Sequence, residues 1–372
     1  MVITSMKKII IFGSSIFPFR IGGTEISINE LISELKKRRK YEIYLFLSNI
    51  DSRHILLKKN LPGIHLLFNR CFKNKIINKI GRNLFTLINL FKIRPDAILC
   101  FSFSDMSIYS LLYSFLLKKK VVTRTEGSDL HFFSSIFDTL KKRFILHYSN
   151  QIICISEYHV KIISNLKIKL KNKPIVLGSS SRFKSTKFIE RNNNKCLLLF
   201  VGRLEQIKNV NTLIESLYIL RKNHHITSSD IILKVCGDGP LKMELSRLVK
   251  NLNLQDIVKI LGRVIDETLF SLYEDANIFI LPSFAEGSPL VIFEALSFGC
   301  ALICSRIPSL SQELVENVNA LFFNPYSKED LAEKIYTLIN NKDLLDKIQR
   351  NNYELSRKYS WNSIVTEIEK LL

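Results

Sequence analysis

The sequence predicts an α/β protein of two domains, each with a parallel β-sheet covered by helices. The chain has 372 residues, and at about 150 residues per domain this length favours two domains over one. Two similar segments, 7–13 and 195–202, are continuous apolar runs that end in glycine. Such runs are typical of strands buried on both faces of a parallel sheet. Each is therefore predicted to be the first strand of its own domain.

Further apolar runs alternate with helical patterns along both halves, which is the order expected of α/β units. After the second run, Val210, Leu213, Ile214, Leu217 and Leu220 recur at helical spacing and predict a helix that packs on the sheet. The other strands are predicted at residues 41–47, 96–101, 120–123, 151–155, 231–236, 258–261, 278–281 and 301–304.

A polar segment without periodicity, 188–195, separates the halves and is predicted to be the linker. The first domain is then 1–187 and the second begins at residue 196. Doubly wound sheets bind ligands beyond the carboxyl ends of their strands. Two facing domains would place the site in the cleft between them, with one substrate on each.

The composition excludes several classes of protein. Hydrophobic residues make up 47% and charged residues 24% of the chain, which excludes disordered, collagenous and disulfide-scaffold proteins. The longest nearly apolar run, 108–117, is shorter than the roughly 20 residues of a membrane-spanning helix. The N-terminus reads as a strand rather than a signal peptide. Seven cysteines, an odd number, predict reduced thiols in a cytoplasmic protein.

The positive charge is concentrated in the first half. Residues 1–190 hold 33 Lys and Arg against 12 Asp and Glu, whereas residues 191–372 hold 21 against 22. This asymmetry predicts a polyanionic partner for the first domain, either an acidic membrane surface or a nucleic acid. A lysine-rich codon bias is the alternative, although it would not spare the second half. Basic residues cluster at 36–40, 72–79, 118–120, 141–143 and 167–173.

These clusters favour a membrane over a nucleic acid. Near an anionic bilayer each Lys or Arg contributes about 1 kcal/mol, so several clusters could hold the protein peripherally. No recognised nucleic-acid motif accompanies them, and a nucleic acid would leave the second domain unexplained.

Segment 281–299 carries the most chemical information. It follows a predicted strand and turns through 286–289 into a helix, with Pro289 near the first turn and Ser288 predicted as the cap. A helix N-terminus after a glycine favours an anion such as phosphate. Glu294 lies in an otherwise apolar helix, so we expect a hydrogen-bonded partner for its carboxylate. The alternative is that Glu294 reaches solvent on a narrow polar stripe.

The pattern E-G-x-P-L-x-x-x-E-A-x-x-x-G in this segment resembles the signature of the retaining glycosyltransferases called glycosyl transferases group 1. Segments 201–209, 235–240 and 261–264 are similar to the family's V-G-R-L-x-x-x-K, G-x-G-P and G-x-V motifs, and 22–25 is similar to its G-G-x-E loop. The resemblance spans essentially the whole chain and is stronger in the second half. It implies the GT-B fold, with two facing Rossmann-like domains, the second at 196–358, and a final helix at 359–372 that packs back on the first.

The resemblance also implies residue roles. Arg203 and Lys208 would neutralise the donor diphosphate, Glu286 would contact the transferred sugar, and Glu294 would accept hydrogen bonds from the ribose. Taken alone, Lys208 is more typical of a solvated lysine at a helix start, and its position beside the glycine turn favours the ligand. The other residues implied around the donor are Gly202, Gly262, Val264, Gly287, Ser288, Leu290 and Val291. No cofactor beyond a UDP- or GDP-sugar is expected, and no metal, because no metal motif is visible.

In the first domain, Gly22 and Gly23 would let the chain approach a phosphate or the acceptor closely, although an ordinary turn fits them as well. Glu126 stands where many family members have histidine. A glutamate there could orient the sugar or accept the acceptor's proton, but it cannot donate the same N–H.

The predicted function is metal-independent sugar transfer, with retention, to a lipid-linked, lipopolysaccharide or capsule-type glycan at the inner face of the cytoplasmic membrane. Two alternatives are a non-catalytic glycan- or nucleic-acid-binding protein on the same scaffold and a nucleotide-sugar epimerase. The paired glutamates speak against the epimerase.

Overall fold

The computed structural model describes residues 6–13, 22–47, 63–67, 75–127, 129–130, 135–191 and 195–372. The chain forms two compact units. The first comprises Met1–Ser179 and Trp361–Leu372, and the second comprises Ser180–Ser360. Element labels run in chain order through both units.

The first unit is an α/β unit with one parallel sheet. Its strands follow the order β3-β2-β1-β4-β5-β6-β7, and all of the pairings are parallel. The strands are β1 (Lys7–Gly13), β2 (Tyr41–Leu47), β3 (Ile64–Leu67), β4 (Ala97–Phe101), β5 (Lys120–Arg124), β6 (Gln151–Cys154) and β7 (Ile175–Val176); the helices are α1 (Gly23–Arg38), α2 (Lys75–Ile93), α3 (Asp105–Leu117), α4 (Ile136–Tyr148), α5 (Glu157–Asn165) and α13 (Trp361–Leu371).

The middle of this sheet is largely buried. β1 lies between β2 and β4, with Ile10 beside Tyr44 and Ile98, and Ile10 has no exposed surface. The terminal helix α13 packs on α1, where Arg38 donates to Asn362 Oδ1 at 2.7 Å and to Thr366 Oγ1 at 3.0 Å. The last helix therefore belongs to the first unit, although it follows the second in sequence.

The second unit has the same architecture with six strands. Their order is β10-β9-β8-β11-β12-β13, again with parallel pairings throughout. The strands are β8 (Cys196–Val201), β9 (Ile231–Cys236), β10 (Val258–Gly262), β11 (Ile278–Leu281), β12 (Ala301–Ser305) and β13 (Ala320–Phe323); the helices are α6 (Val210–His224), α7 (Lys242–Asn251), α8 (Asp266–Asp275), α9 (Leu290–Ser297), α10 (Pro308–Ser311), α11 (Lys328–Asn340) and α12 (Lys342–Ser356).

The two predicted parallel-sheet units are confirmed, as is the apolar stripe of α6, whose five residues are all buried. The boundary between the units differs from the predicted linker at 188–195, of which residues 192–194 lie outside the described residues. The second unit begins at Ser180 because Arg182 and Phe183 already pack into it, Arg182 against Glu294 and Phe183 against Phe270.

Candidate active site

Lys208 and Glu286 form an ion pair in the second unit. Lys208 Nζ lies 2.6 Å from Glu286 Oε1, and Ser283 Oγ donates to the same oxygen at 2.5 Å. The carboxylate side chain is only 9% exposed and that of Lys208 is 21% exposed. The pair brings together two predicted site residues that are far apart in sequence.

The local backbone explains how these two residues meet. Lys208 ends a short 3₁₀ turn, Gln206–Lys208, and Asn209 follows in the left-handed region with φ of 54°, a conformation that asparagine tolerates. The buried Asn209 amide donates to the carbonyl oxygens of Pro282 and Pro325 at 3.1 and 2.8 Å. Phe284 N donates to Ile207 O at 2.9 Å. These bonds fix the loop of Lys208 against the loop of Glu286.

Helix α9 begins directly after this loop, and its start differs from the prediction. The cap residue is Pro289 rather than Ser288, and no side chain caps the helix. Among the described residues, the buried Ser288 Oγ has no hydrogen-bond partner. The N–H groups of Leu290 and Val291 lie in the first turn, where helical N–H groups have no intrahelical acceptor. An anion at this helix start would therefore meet free donors and the positive end of the helix dipole.

Glu294 is buried within α9, and side chains from two other segments hold its carboxylate. Arg182 Nε donates to Oε1 and Tyr273 OH donates to Oε2, each at 2.9 Å. Arg182 Nη1 also contacts both carboxylate oxygens of Asp266, at 2.9 and 3.0 Å. Burial raises the pKa of Glu294 above its usual value, and Arg182 and Tyr273 oppose that rise. The expected buried partner is thus Arg182 with Tyr273, and the solvent-facing alternative is wrong.

The glycine loops after β8, β9 and β10 meet at the carboxyl edge of the sheet. Gly237 N donates to Gly262 O at 2.8 Å, and a Cβ on Gly237 would lie 1.8 Å from Gly202 O. Gly237 also has φ of 149°, which side chains disfavour. Gly202 and Gly262 were predicted site residues, whereas Gly237 was not, although it belongs to the G-x-G-P turn.

Arg203 is paired with Glu205 and not with Glu286. Its side chain is 56% exposed, and its Nη2 is paired with Glu205 Oε1 at 2.6 Å. Val264 follows Gly262 beyond β10 and packs on the apolar cluster beneath α9. The structure therefore brings Lys208 and Glu286 together and places Arg203 in a surface ion pair of its own.

In the first unit, the predicted loops of Gly22 and Glu126 are in contact. Thr24 Oγ1 donates to Glu126 Oε2 at 3.1 Å, which joins the start of α1, at Gly23, to the end of β5. Arg124 Nη1 lies 3.4 Å from Glu126 Oε1. Gly22 itself has extended backbone, so its conformation does not require glycine.

The buried Glu126 lies beside the buried Arg124 and the partly buried Asp129. Burial raises the pKa of Glu126, while Arg124 and Thr24 oppose the rise. Asp129 Oδ2 accepts a bond from Glu126 N at 3.1 Å, and burial together with the nearby Glu126 charge raises the pKa of Asp129 to about 7. Arg124 and Asp129 were not predicted site residues, although both lie within three residues of Glu126 in the segment R-T-E-G-S-D.

Comparison with known proteins identifies the second unit. Residues 181–355 match the family described as Glycosyl transferases group 1. An uncharacterised glycosyltransferase of Methanocaldococcus jannaschii is 27% identical, with 97% of each chain covered. Residues 181–355 therefore form a group 1 glycosyltransferase domain.

The solved structures agree on the fold. The chain is similar to HepE of Anabaena, crystallised with UDP, with a TM-score of 0.78 and 16% identity over 98% of this chain and 99% of that one. This glycosyltransferase has the GT-B fold, as the resemblance implied. A Campylobacter jejuni N-acetylgalactosaminyltransferase that acts on an undecaprenol-linked glycan is 29% identical over 57% of each chain.

The family match covers the second-unit site of this glycosyltransferase, whereas Gly22, Gly23 and Glu126 lie outside it. Within the described ranges, no three His, Cys, Asp or Glu side chains form a group that could hold a metal ion. The same ranges contain no helix with the length and apolar character needed to cross a membrane.

Proposed function

We propose that this glycosyltransferase moves a sugar from a UDP- or GDP-linked donor to a hydroxyl of a lipid-linked, lipopolysaccharide or capsule-type glycan. Transfer proceeds with retention of anomeric configuration and without a metal ion. The observation that carries the proposal is the ion pair of Lys208 with Glu286 immediately before the first turn of α9.

Lys208 supplies positive charge for the departing nucleoside diphosphate. A lysine ammonium has three N–H donors, and the contact with Glu286 uses one of them. The remaining donors, together with the first N–H groups of α9, can bind phosphate oxygens as negative charge develops on them. This arrangement supplies the charge stabilisation for which other transferases use a metal ion. Arg203 would join it by leaving its surface pair with Glu205.

Glu286 orients the transferred sugar in this proposal. Ser283 and Lys208 both bond to Oε1, so Oε2 remains available to accept bonds from sugar hydroxyls. A carboxylate restrained on one oxygen holds the other in a defined direction, which favours a single orientation of the sugar ring.

Glu294 binds the ribose in this proposal. Its two oxygens already accept one bond each, from Arg182 and Tyr273, and each oxygen has a second acceptor position. The backbone from Gly262 to Val264 would then lie near the base, because Asp266, which pairs with Arg182, begins the next helix.

The acceptor and the location rest on the first unit. The strong positive charge of residues 1–190 suits an anionic membrane, and the C. jejuni relative acts on a lipid-linked glycan. We place the enzyme peripherally at the inner face of the cytoplasmic membrane. Glu126 would face the acceptor or the transferred sugar, since the anionic side chain disfavours contact with phosphate.

A thermal-shift screen of nucleotides and nucleotide-sugars tests the donor, because a ligand that binds only the native state raises its apparent stability. UDP or GDP and one of their sugars should raise the melting temperature of the wild type and of Lys222→Ala, an exposed lysine on α6. The shift should be lost in Lys208→Ala and Glu286→Gln. An unchanged shift in both variants would remove these residues from the donor site.

Product analysis tests the chemistry. Proton NMR of the product should show the anomeric configuration of the donor, and activity should survive chelation with EDTA. An inverted product contradicts the retaining mechanism, and loss of activity in EDTA contradicts metal independence.

A further inference from the structure

Three helices of the first unit carry exposed apolar side chains. Phe115 on α3 is 83% exposed and Phe137 on α4 is 84% exposed. Apolar residues scattered singly over a surface are ordinary, whereas contiguous apolar patches mark interaction sites. The further exposed apolar residues of α2, α3 and α4 are Ile80, Leu84, Ile88, Phe91, Leu112, Leu116, Leu117, Ile136, Leu140, Phe144 and Tyr148.

The spacing of these residues places most of them on one face of α2 and of α4, whereas on α3 they gather at the C-terminal end, at 112 and 115–117. On α4 they fall at 137, 140, 144 and 148, and on α2 at 80, 84, 88 and 91, which are separations of three and four residues. The opposite face of α4 is buried, with Ile145 and Leu146 in the core of the first unit. Each helix is therefore apolar both toward the core and away from it.

Contacts between the helices bring these faces side by side. Phe91 on α2 packs edge to face on the fully buried Tyr113 of α3, with ring centroids 5.3 Å apart. Leu112 and Phe115 of α3 line a groove of about 590 Å³ together with Phe144 and Tyr148 of α4. We call the exposed apolar residues of α2, α3 and α4 the helical face.

Basic residues border the helical face at its groove. Lys118, Lys120 and Lys171 line this groove, as does Lys119, which is paired with Asp96 at 3.3 Å. Arg143 is exposed on α4. The acidic residues of the three helices are both paired: Asp105 with Lys79 at 3.2 Å, and Asp138 with Lys141 and Lys142 at 3.2 and 2.8 Å. The face is thus apolar at its centre, positive at its edge, and without unpaired acidic groups on its helices.

We propose that the helical face inserts into an anionic lipid bilayer, with Phe115 and Phe137 among the acyl chains and the lysines at the headgroups. The argument for this occupant is charge complementarity, because an anionic surface matches the basic edge while its interior accepts the apolar centre. A second copy of this chain would bring like charges together, and a nucleic acid offers no apolar phase. This inference rests on the proposed function for its biological purpose, because it specifies how the proposed membrane partner is bound. The vesicle experiment that tests it does not require the enzyme to be active.

The inference separates apolar insertion from attraction by charge alone. Attraction by lysines is screened by salt, whereas burial of aromatic side chains is not. We therefore expect binding to vesicles that contain phosphatidylglycerol to weaken in 0.5 M NaCl without being lost.

Vesicle flotation of the full chain tests the proposal, with phosphatidylcholine vesicles containing 30% phosphatidylglycerol and pure phosphatidylcholine vesicles as probes. The double variant Phe115→Ser with Phe137→Ser should bind the anionic vesicles at least about tenfold more weakly in 0.5 M NaCl. Met243→Ser, an apolar residue of the second unit that is 67% exposed, is the matched control and should bind as the wild type does. Lys118→Gln with Lys120→Gln should weaken binding in low salt only.

The inference is overturned if the wild type does not bind vesicles in 0.5 M NaCl, or if the double variant binds them as strongly as the wild type. It is also overturned if the wild type does not float with vesicles and is a dimer in solution, while the double variant is a monomer. The last result would make the helical face an interface between copies. Circular dichroism of each variant confirms that it is folded. Nucleotide-induced thermal shifts, measured without vesicles, report separately on the donor site, so a failed donor site and a failed membrane surface give different results.

Discussion

Replacing Arg182 by glutamine should destabilise the second unit strongly, because it leaves a buried carboxylate without its cation. In the wild type, Arg182 donates to Glu294 at 2.9 Å, and the Glu294 side chain is only 3% exposed. Removing one partner of a buried ion pair typically costs about 3–5 kcal/mol. Tyr273 would still donate to Glu294 Oε2, so we expect a loss near the lower end of this range at pH 8.

The loss should depend on pH in a defined direction. Burial already raises the pKa of Glu294, and Arg182 is the main group that opposes the rise. Without Arg182 the pKa rises further, so the folded state binds a proton more tightly than the unfolded state does. Stability then falls as pH increases from the unfolded value through the folded one. The variant should therefore be closer to the wild type at pH 5 than at pH 8.

Calorimetric melting at pH 5 and pH 8 measures both effects. Arg306→Gln is the matched control, since Arg306 pairs with Glu316 on the surface and is 56% exposed; such a pair contributes about 0–1 kcal/mol. Adding Glu294→Gln to Arg182→Gln should restore part of the stability at pH 8 by removing the buried charge. A loss at pH 8 no larger than that of the control, or an equal loss at both pH values, would refute this account of the cluster.

Three further predictions concern single residues. Lys208→Ala should raise the donor KM or Kd roughly tenfold or more, as expected for a lost charge-assisted bond, whereas Lys222→Ala should leave it unchanged in the same titration. Gly237→Ala should lower the melting temperature of the second unit markedly, because the new Cβ would lie 1.8 Å from the carbonyl oxygen of Gly202. Gly178→Ala should be tolerated, because its Cβ would lie 3.5 Å from the nearest carbonyl oxygen. Similar melting temperatures of the two variants would contradict this. Asp129→Asn should raise the melting temperature at pH 8 but not at pH 4. The pKa of Asp129 rises from 3.8 to about 7 on folding, so the wild type loses stability as the pH increases between these two values.

Most strands that are buried on both faces could be predicted from sequence, because continuous apolar runs in an α/β protein usually form such strands. Three strands were missed. β3 (Ile64–Leu67) is a half-buried edge strand interrupted by His65, and β7 (Ile175–Val176) has only two residues. β13 (Ala320–Phe323) is a fully buried strand of four residues, the same length as the predicted β11, and an apolar run this short does not by itself distinguish a strand from part of a helix.

The candidate site shows a similar division. Glu286, Lys208 and Glu294 were recognisable because each belongs to a motif with fixed local spacing. The contacts of these residues could not be predicted. Lys208 lies beside Glu286 because Asn209 adopts a left-handed backbone and its amide binds the neighbouring loop, and local sequence patterns do not specify such tertiary contacts.

Glu294 illustrates what burial alone predicts. An acidic residue among apolar neighbours in a helix requires a partner, and that requirement follows from the cost of an isolated buried charge. Which residue meets it depends on the tertiary fold, since Arg182 precedes the first strand of its unit and Tyr273 lies at the end of α8. Because Arg182 also binds Asp266 at the start of α8, one side chain couples the helix that carries the proposed ribose contact to the loop proposed to meet the base. A change at Arg182 should therefore weaken nucleotide binding as well as stability, even though Arg182 is assigned no contact with the donor.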